Sequence, residues 1–168
     1  IDTLIQSLDS ILSKNAQDFS NKNILITAGP TYEPIDAVRF IGNRSSGKMG
    51  FALAIVASQR GAKVTLIAGP TQLTTPHNVQ RINIETAEEM FTAVENEYKK
   101  NDVIIMSAAV GDFTPRNVFS QKIKKESIAE EEMSIALKKT KDILQFVGER
   151  KGKKTFLVGF ALETENLL

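Results

Sequence analysis

Apolar positions along this chain follow two rhythms. Leu4, Ile5, Leu8, Ile11 and Leu12 recur at helical spacing, so residues 1–13 read as an amphipathic helix. Residues 14–21 are polar and read as a linker. Beyond them, short apolar runs alternate with helical segments. The runs are 23–27, 63–68, 79–84, 102–107 and 155–160. Between them, residues 47–60 read as a helix carrying the small residues Gly50, Ala52, Ala54 and Ala57, with Gly61 as its C-cap. A second helix runs from Ala87 to Lys99, with Thr86 placed to cap it and Glu89 at the capping-box position.

Runs that are apolar throughout suit strands buried on both faces. Their alternation with helices predicts an α/β fold, a Rossmann-like, doubly wound, mostly parallel sheet with helices on both faces. Ligands of such sheets sit beyond the carboxyl ends of the strands. That directs attention to residues 28–31, 68–71, 108–112 and 161–164. The sequence Ala-Gly-Pro-Thr occurs at both 28–31 and 68–71 but extends no further, so it marks two similar strand exits rather than a repeat. Region 113–141 breaks the rhythm. It is basic and polar, and segments 122–125 and 133–137 each alternate, which predicts an inserted basic antiparallel flap outside the main sheet.

Composition narrows the chemistry. The 168 residues are 42% hydrophobic and 24% charged, ordinary for one globular domain with or without a small appendage. No apolar run approaches the roughly 18 residues of a membrane span. The absence of Cys excludes disulfides, Cys-ligated zinc and thiolate catalysis, and a single His, His77, argues against a triad or a multi-His metal site. Chemistry therefore falls to Asp/Glu, Lys/Arg, Ser/Thr/Asn, backbone groups and a bound cation. The net charge of +1 hides a block, 116–154, in which Lys and Arg far outnumber Asp and Glu. Such a block suits nucleic acid, an anionic surface or a polyanionic ligand, or is simply a solvated lysine-rich face.

Motifs sharpen this. The first strand exits into Gly29-Pro30-Thr31, which lacks the glycine pattern of a dinucleotide site. Residues 42–48 match the opening of a phosphate-binding loop, but Met49 stands where the magnesium-binding hydroxyl belongs, and the segment does not directly follow the strand. Asn43, Ser45, Ser46 and Gly47 still open a helix, whose free N–H groups suit a phosphate or carboxylate; equally, Ser45 or Ser46 could only cap it. Asp112 follows the fourth strand on a loop at the ligand edge, where an acid can accept from a base or sugar, help hold Mg²⁺, or merely fix a turn. Lys122 and Lys124 share one face of an extended segment, with Lys125 on the other. Thr140 or Asp142 caps a helix beginning near Ile143. His77 reads as a loop residue without a role.

Taken in order, these stretches resemble one family. Ile24-Leu-Ile-Thr-Ala-Gly-Pro-Thr31, Glu33-Pro34, Val38-Arg39, Asn43, Ser45-Ser-Gly-Lys-Met-Gly50, Ala108-Ala-Val-x-Asp112, Lys122-Ile-Lys-Lys125 and Val158-Gly-Phe-Ala161 are similar to phosphopantothenoylcysteine synthetase of coenzyme A biosynthesis. The resemblance covers residues 23–166, and the combination of the Asn-x-Ser-Ser-Gly-Lys-Met-Gly and Lys-x-Lys-Lys elements makes it specific. It implies a cytoplasmic, homodimeric ligase that joins 4'-phosphopantothenate to L-cysteine. CTP with Mg²⁺ would activate the carboxylate as an acyl-cytidylate, releasing pyrophosphate; the cysteine amine would then displace CMP. The resemblance assigns Asn43 to the acyl-cytidylate and Lys122 to the CTP phosphates. Gly29, Met106, Ser107, Ala108, Asp112, Lys141, Asp142, Ile143, Leu144 and Phe160 would hold the nucleotide. Arg39, Ser45, Ser46, Gly47, Lys48, Lys124 and Lys125 are further candidates for phosphate or substrate, and no protein ligand to the metal is assigned.

The resemblance also implies that residues 1–22 are the trailing helix and linker of an upstream FMN-containing decarboxylase, and that 23–168 is a synthetase domain lacking its C-terminal part. Such activation is chiefly a charge problem, answered by Lys, Mg²⁺ and helix N-termini. It needs no protein nucleophile, which suits the shortage of His and Cys. One departure is Lys141, where relatives often carry proline. The alternative reading is a non-catalytic Rossmann-like module binding nucleotide or nucleic acid through 116–154; few aromatics interleave its lysines, which weakens a single-stranded nucleic acid ligand. A nicotinamide oxidoreductase is opposed by the missing glycine pattern.

Overall fold

The computed structural model describes residues 17–124 and 133–161. In chain order the strands are β1 (Asn23–Ala28), β2 (Tyr32–Pro34), β3 (Phe40–Gly42), β4 (Lys63–Ala68), β5 (Val79–Asn83), β6 (Val103–Met106), β7 (Phe113–Pro115), β8 (Leu137–Lys139) and β9 (Phe156–Gly159). The helices are α1 (Lys48–Gln59), α2 (Ala87–Glu97), extended by a 3₁₀ turn at Tyr98–Lys100, and α3 (Ile143–Arg150). Five strands form one sheet in the order β5-β4-β1-β6-β9, every pairing parallel. The predicted doubly wound α/β architecture is the one observed.

Alternation along the strands builds two cores. Ile24, Ile26 and Ala28 of β1, with Val64, Leu66 and Ala68 of β4, pack against Phe51, Ala54 and Ala57 of α1. Leu25, Ile67, Ile104 and Met106 face the other way, onto Met90, Phe91 and Val94 of α2 and Ile143 and Val147 of α3. Full burial stabilises each large side chain by roughly 1.5–3 kcal/mol relative to exposure, so the two layers carry most of the domain's cohesion. Small residues let α1 sit close: a Cβ on Gly50 would lie 2.5 Å from the Ala28 Cβ. Helix α1 ends through Arg60, with Gly61 just beyond it at φ 89°. Helix α2 starts with the expected capping box of Thr86 and Glu89. A second anchor comes from Glu33 of β2, whose buried carboxylate accepts the Ala87 N–H at 2.9 Å.

Three expectations change. The strands β5 and β9 lie at the sheet edges and are only partly buried, and β6 buries only Ile104 and Met106, so burial on both faces holds for β1 and β4 alone. The expected linker is docked from Asp18 onward: Arg60 pairs with Asp18 and stacks 4.1 Å from the Phe19 ring centre. The flap is also arranged differently. Its antiparallel ribbon joins the two ends of the region, β7 with β8, in register Phe113 to Lys139 and Pro115 to Leu137. Lys122 and Lys124 lie outside that ribbon. A second two-stranded ribbon, β2 with β3, closes the turn at 35–39. The helix expected at 1–13, Lys125 and the Glu163-Thr164 strand exit lie outside the described residues.

Candidate functional site

The sheet order places β4 and β5 on one side of β1 and β6 and β9 on the other. The chain therefore diverges at the carboxyl ends of β1 and β6, where a crevice forms in sheets of this kind. The two exits are joined by backbone: Ala109 N donates to Gly29 O at 2.9 Å and Thr31 N to Ala109 O at 3.2 Å. Threonine side chains complete the seam. The Ala108 N–H donates to Thr27 Oγ1 at 3.2 Å, and the Gly111 N–H donates to Thr31 Oγ1 at 2.9 Å. Beside this seam lies a cleft of about 390 Å³.

Met106, Ala108, Asp112, Lys141, Asp142, Ile143, Leu144 and Phe160, all named from the sequence, line that cleft. Met106 and Ile143 are buried in its floor, whereas Leu144 and Phe160 are 41% and 53% exposed at its lip. Asp142 rather than Thr140 caps α3, accepting the Gln145 N–H at 2.8 Å. Thr140 instead ties the ribbon to the β6 exit, donating through its hydroxyl to Gly111 O at 2.7 Å and through its N–H to Asp112 O at 2.9 Å. The Lys141 ammonium is engaged by Glu88 at 2.6 Å and lies 4.3 Å from the Phe91 ring centre.

Other expected residues stand elsewhere. Gly29 is buried outside the cleft, in a corner where a Cβ on it would meet Gly69 O at 3.4 Å and one on Gly47 would meet the Gly29 Cα at 3.3 Å. Ser107 donates its hydroxyl to Thr27 O at 2.6 Å. The Ser107 and Ala108 N–H groups are both taken by Thr27. Asn43 reaches from the end of β3 to the back of the same exit loop, donating its amide to Ala109 O and Val110 O. The N-cap of α1 is Gly47 at φ 75°, not a serine; Ser45 and Ser46 only receive long bonds from Gly47 N and Lys48 N, at 3.4 and 3.5 Å. Lys48, the first helical residue, is exposed there, as are Lys122 and Lys124 beyond the ribbon. Arg39 is engaged by the buried Asp36. That carboxylate is held well below the usual range, first by the Arg39 hydrogen bond and then by N–H donors from Ile123, Val38 and Arg39.

Val110, in the 108–112 exit, lines the cleft too, as do Thr27, Phe113, Lys139 and Thr140, which the sequence does not place there. Thr27 hides in an apolar run, and Phe113 and Lys139 enter only because the ribbon pairs them. The cleft's carboxylates are Asp112 and Asp142, and Asp142 is occupied as a cap. Among the described residues no three His, Asp or Glu side chains gather as a metal cage. The donor set fits a Mg²⁺ carried mainly by a polyphosphate, which needs one or two protein carboxylates at most.

Fold and cleft define a doubly wound α/β domain with an open cleft at the switch point between β1 and β6. The chain belongs to the family of the DNA/pantothenate metabolism flavoprotein C-terminal domain, whose model matches residues 19–168. The coenzyme A biosynthesis bifunctional protein CoaBC of Haemophilus influenzae is 52% identical over 151 residues, 90% of this chain and 37% of that protein. This chain thus spans little more than a third of such relatives. The crystal structure of the C-terminal domain of a CoaBC protein superposes with a TM-score of 0.77 at 45% identity, covering 91% of this chain and 69% of that one. A Cab2 H337A variant in complex with phosphopantothenate-cysteine shares the fold, with a TM-score of 0.70 at 20% identity over 98% of this chain and 71% of that one. The resemblance to the phosphopantothenoylcysteine synthetase domain, read from the motifs, is borne out.

Proposed function

We propose that this domain ligates 4'-phosphopantothenate to L-cysteine, using CTP, within a bifunctional protein of coenzyme A biosynthesis. The observation that carries the reading is the cleft: of the residues that the family resemblance assigns to the nucleotide, Met106, Ala108 and Asp112 meet there with Lys141, Asp142, Ile143, Leu144 and Phe160 from distant stretches. Leu144 and Phe160 offer apolar surface to a base at the lip. With the N–H groups of Ser107 and Ala108 already bonded, those residues meet a nucleotide through their carbonyl oxygens, which accept from an exocyclic amine such as that of cytosine.

In this reading the phosphopantothenate carboxylate attacks the α-phosphorus of CTP, and pyrophosphate leaves. The cysteine amine then attacks the acyl carbon, loses a proton and expels CMP. Lys122 stabilises the charge gathering on the phosphates, and the free N–H groups at the start of α1 answer a second anionic group. Asn43 acts on the acyl-cytidylate while fastening the β6 exit loop. Mg²⁺ supplies further charge neutralisation when bound with the nucleotide, with Asp112 as the available carboxylate.

The apolar Val38, Phe40, Val118 and Phe119, exposed on the β2–β3 ribbon and the segment after β7, suit the homodimer that the family resemblance implies. In this reading the residues before Asp18 belong to the tail of an upstream decarboxylase unit, with FMN confined to that unit, while 18–22 are docked onto this domain. No described helix is long and apolar enough to cross a membrane, and the reaction belongs in the cytoplasm.

The test supplies the full-length protein with phosphopantothenate, cysteine, Mg²⁺ and one of CTP, ATP or GTP. Pyrophosphate release and ligated product with CTP, needing phosphopantothenate, are expected. Equal turnover with all three nucleotides overturns the CTP assignment, and no product with any of them overturns the ligase.

A further inference from the structure

Asp36 sits in the turn between β2 and β3 with its side chain fully buried. Its Oδ1 accepts the N–H groups of Val38 at 2.8 Å and Arg39 at 2.9 Å, as an aspartate in a turn commonly does. Its Oδ2 does something a turn does not require. It accepts Arg39 Nε at 2.9 Å and also the N–H of Ile123 at 3.1 Å, 87 residues further along the chain. Arg39 Nη2, paired with the same oxygen, donates to Ile123 O at 2.8 Å. Both backbone groups of Ile123 are thus held by one ion pair.

Ile123 is the residue between Lys122 and Lys124. This segment belongs to no strand or helix, so no ladder fixes it. Besides the clamp, the Phe119 N–H donates to Ile35 O at 3.0 Å, in the same turn. The Asp36 charge has a second effect. Arg39 alone beside Lys122 and Lys124 would add a like charge, whereas the buried carboxylate offsets it and lets a guanidinium serve as a backbone clasp.

We propose that Asp36 is a positioning residue for the phosphate-binding lysines: with Arg39 it grips the backbone of Ile123 and so sets where Lys122 is presented to the nucleotide. The proposal rests on the assignment of Lys122 to the CTP phosphates. It also revises the part expected of Arg39, from direct anion contact to holding the lysine segment.

A double-mutant cycle in the full-length protein tests it, with kcat/KM for CTP as readout. Asp36→Asn keeps the side-chain size and removes the charge. Alone it lowers kcat/KM for CTP by up to about 100-fold, the scale of a misplaced catalytic group. In a Lys122→Gln background it lowers it by no more than about twofold further, because the group it positions is gone. An undiminished loss in that background overturns the proposal, as does an unaffected single variant. A Lys122→Gln protein with wild-type kcat/KM instead overturns the assignment of Lys122, and the positioning role falls with it. If Asp36→Asn does not fold, Ile123→Pro removes the gripped N–H while leaving the β2–β3 turn intact. The same cycle then applies, and Ile123→Pro at wild-type activity overturns the proposal.

Discussion

The side-chain amide of Asn43 donates to the carbonyl oxygen of Val110 at 3.0 Å, and to that of Ala109 at 3.2 Å. Two carbonyl acceptors fix which end of the amide faces the loop. Asn43→Asp therefore sets a carboxylate oxygen against two oxygens and loses both bonds. Because the site is exposed, a stability loss of about 0.5–1.5 kcal/mol is expected, read from thermal unfolding. On the proposed chemistry pyrophosphate release persists while ligated product is lost, and mass spectrometry finds the acyl-cytidylate retained. Normal product formation removes Asn43 from the second step.

Two lysines assigned to the nucleotide should part company. The Lys141 ammonium is committed to Glu88 and the Phe91 ring, and this ion pair is exposed and worth at most about 1 kcal/mol. Lys141→Ala is expected to change CTP affinity by less than about threefold, whereas Lys122→Gln slows the pyrophosphate-releasing step by about 10²–10³-fold. Calorimetric titration of CTP and a pyrophosphate assay measure the two. A large loss with Lys141→Ala shows that its ammonium leaves Glu88 for the phosphates.

The sheet was legible because Ile24, Leu25, Ile26, Leu66 and Ile67 sit in unbroken apolar runs, and the capping box at Thr86 announced α2. The nucleotide candidates were legible as strand exits. What stayed hidden depends on distant pairings. Tyr32–Pro34 and Phe40–Gly42 are too short and mixed to read as strands, and Asp36 looks like any turn aspartate until Ile123 arrives from 87 positions away. Lys122–Lys125 alternates like a strand, but the backbone of Ile123 is taken by Asp36 and Arg39 instead of a neighbouring strand. Gly47 rather than a serine takes the N-cap because that position is held at φ 75°, a left-handed conformation that favours glycine.

Asp36 also sets an acid limit. Its pKa is depressed in the folded chain, so its stabilising contribution is complete above the unfolded value of about 4 and disappears as pH falls through the lower folded value. Melting temperatures of wild type and Asp36→Asn are expected to differ most near pH 7 and to converge on acidification below about pH 4. A gap that stays constant with pH would mean that the carboxylate charge is not what stabilises the turn.

Glycine substitutions should split by sign. A Cβ on Gly69 would lie 1.7 Å from Pro30 O, so Gly69→Ala forces two backbone segments apart. A loss of about 1–3 kcal/mol is expected. Gly148, inside α3, would meet only Leu157 Cδ2 at 3.8 Å, so Gly148→Ala should gain about 0.5–1 kcal/mol from helix propensity. Differential scanning calorimetry of the two variants gives both values, and loss in both would contradict the packing at α3.

The corner where Gly29, Gly47 and Gly69 touch backbone to backbone has a mechanical consequence. With no side chains between them, the exits of β1 and β4 and the start of α1 have nothing to rotate or repack, so that side of the crevice is a fixed jaw. The opposite side is held through side chains instead: Thr31 Oγ1 accepts the Gly111 N–H, Thr140 and Asn43 donate to carbonyls of the β6 exit, and Asp36 with Arg39 grips Ile123. On the proposed function, adjustment to a bound nucleotide therefore falls to the β7–β8 side, while the glycine corner keeps its place.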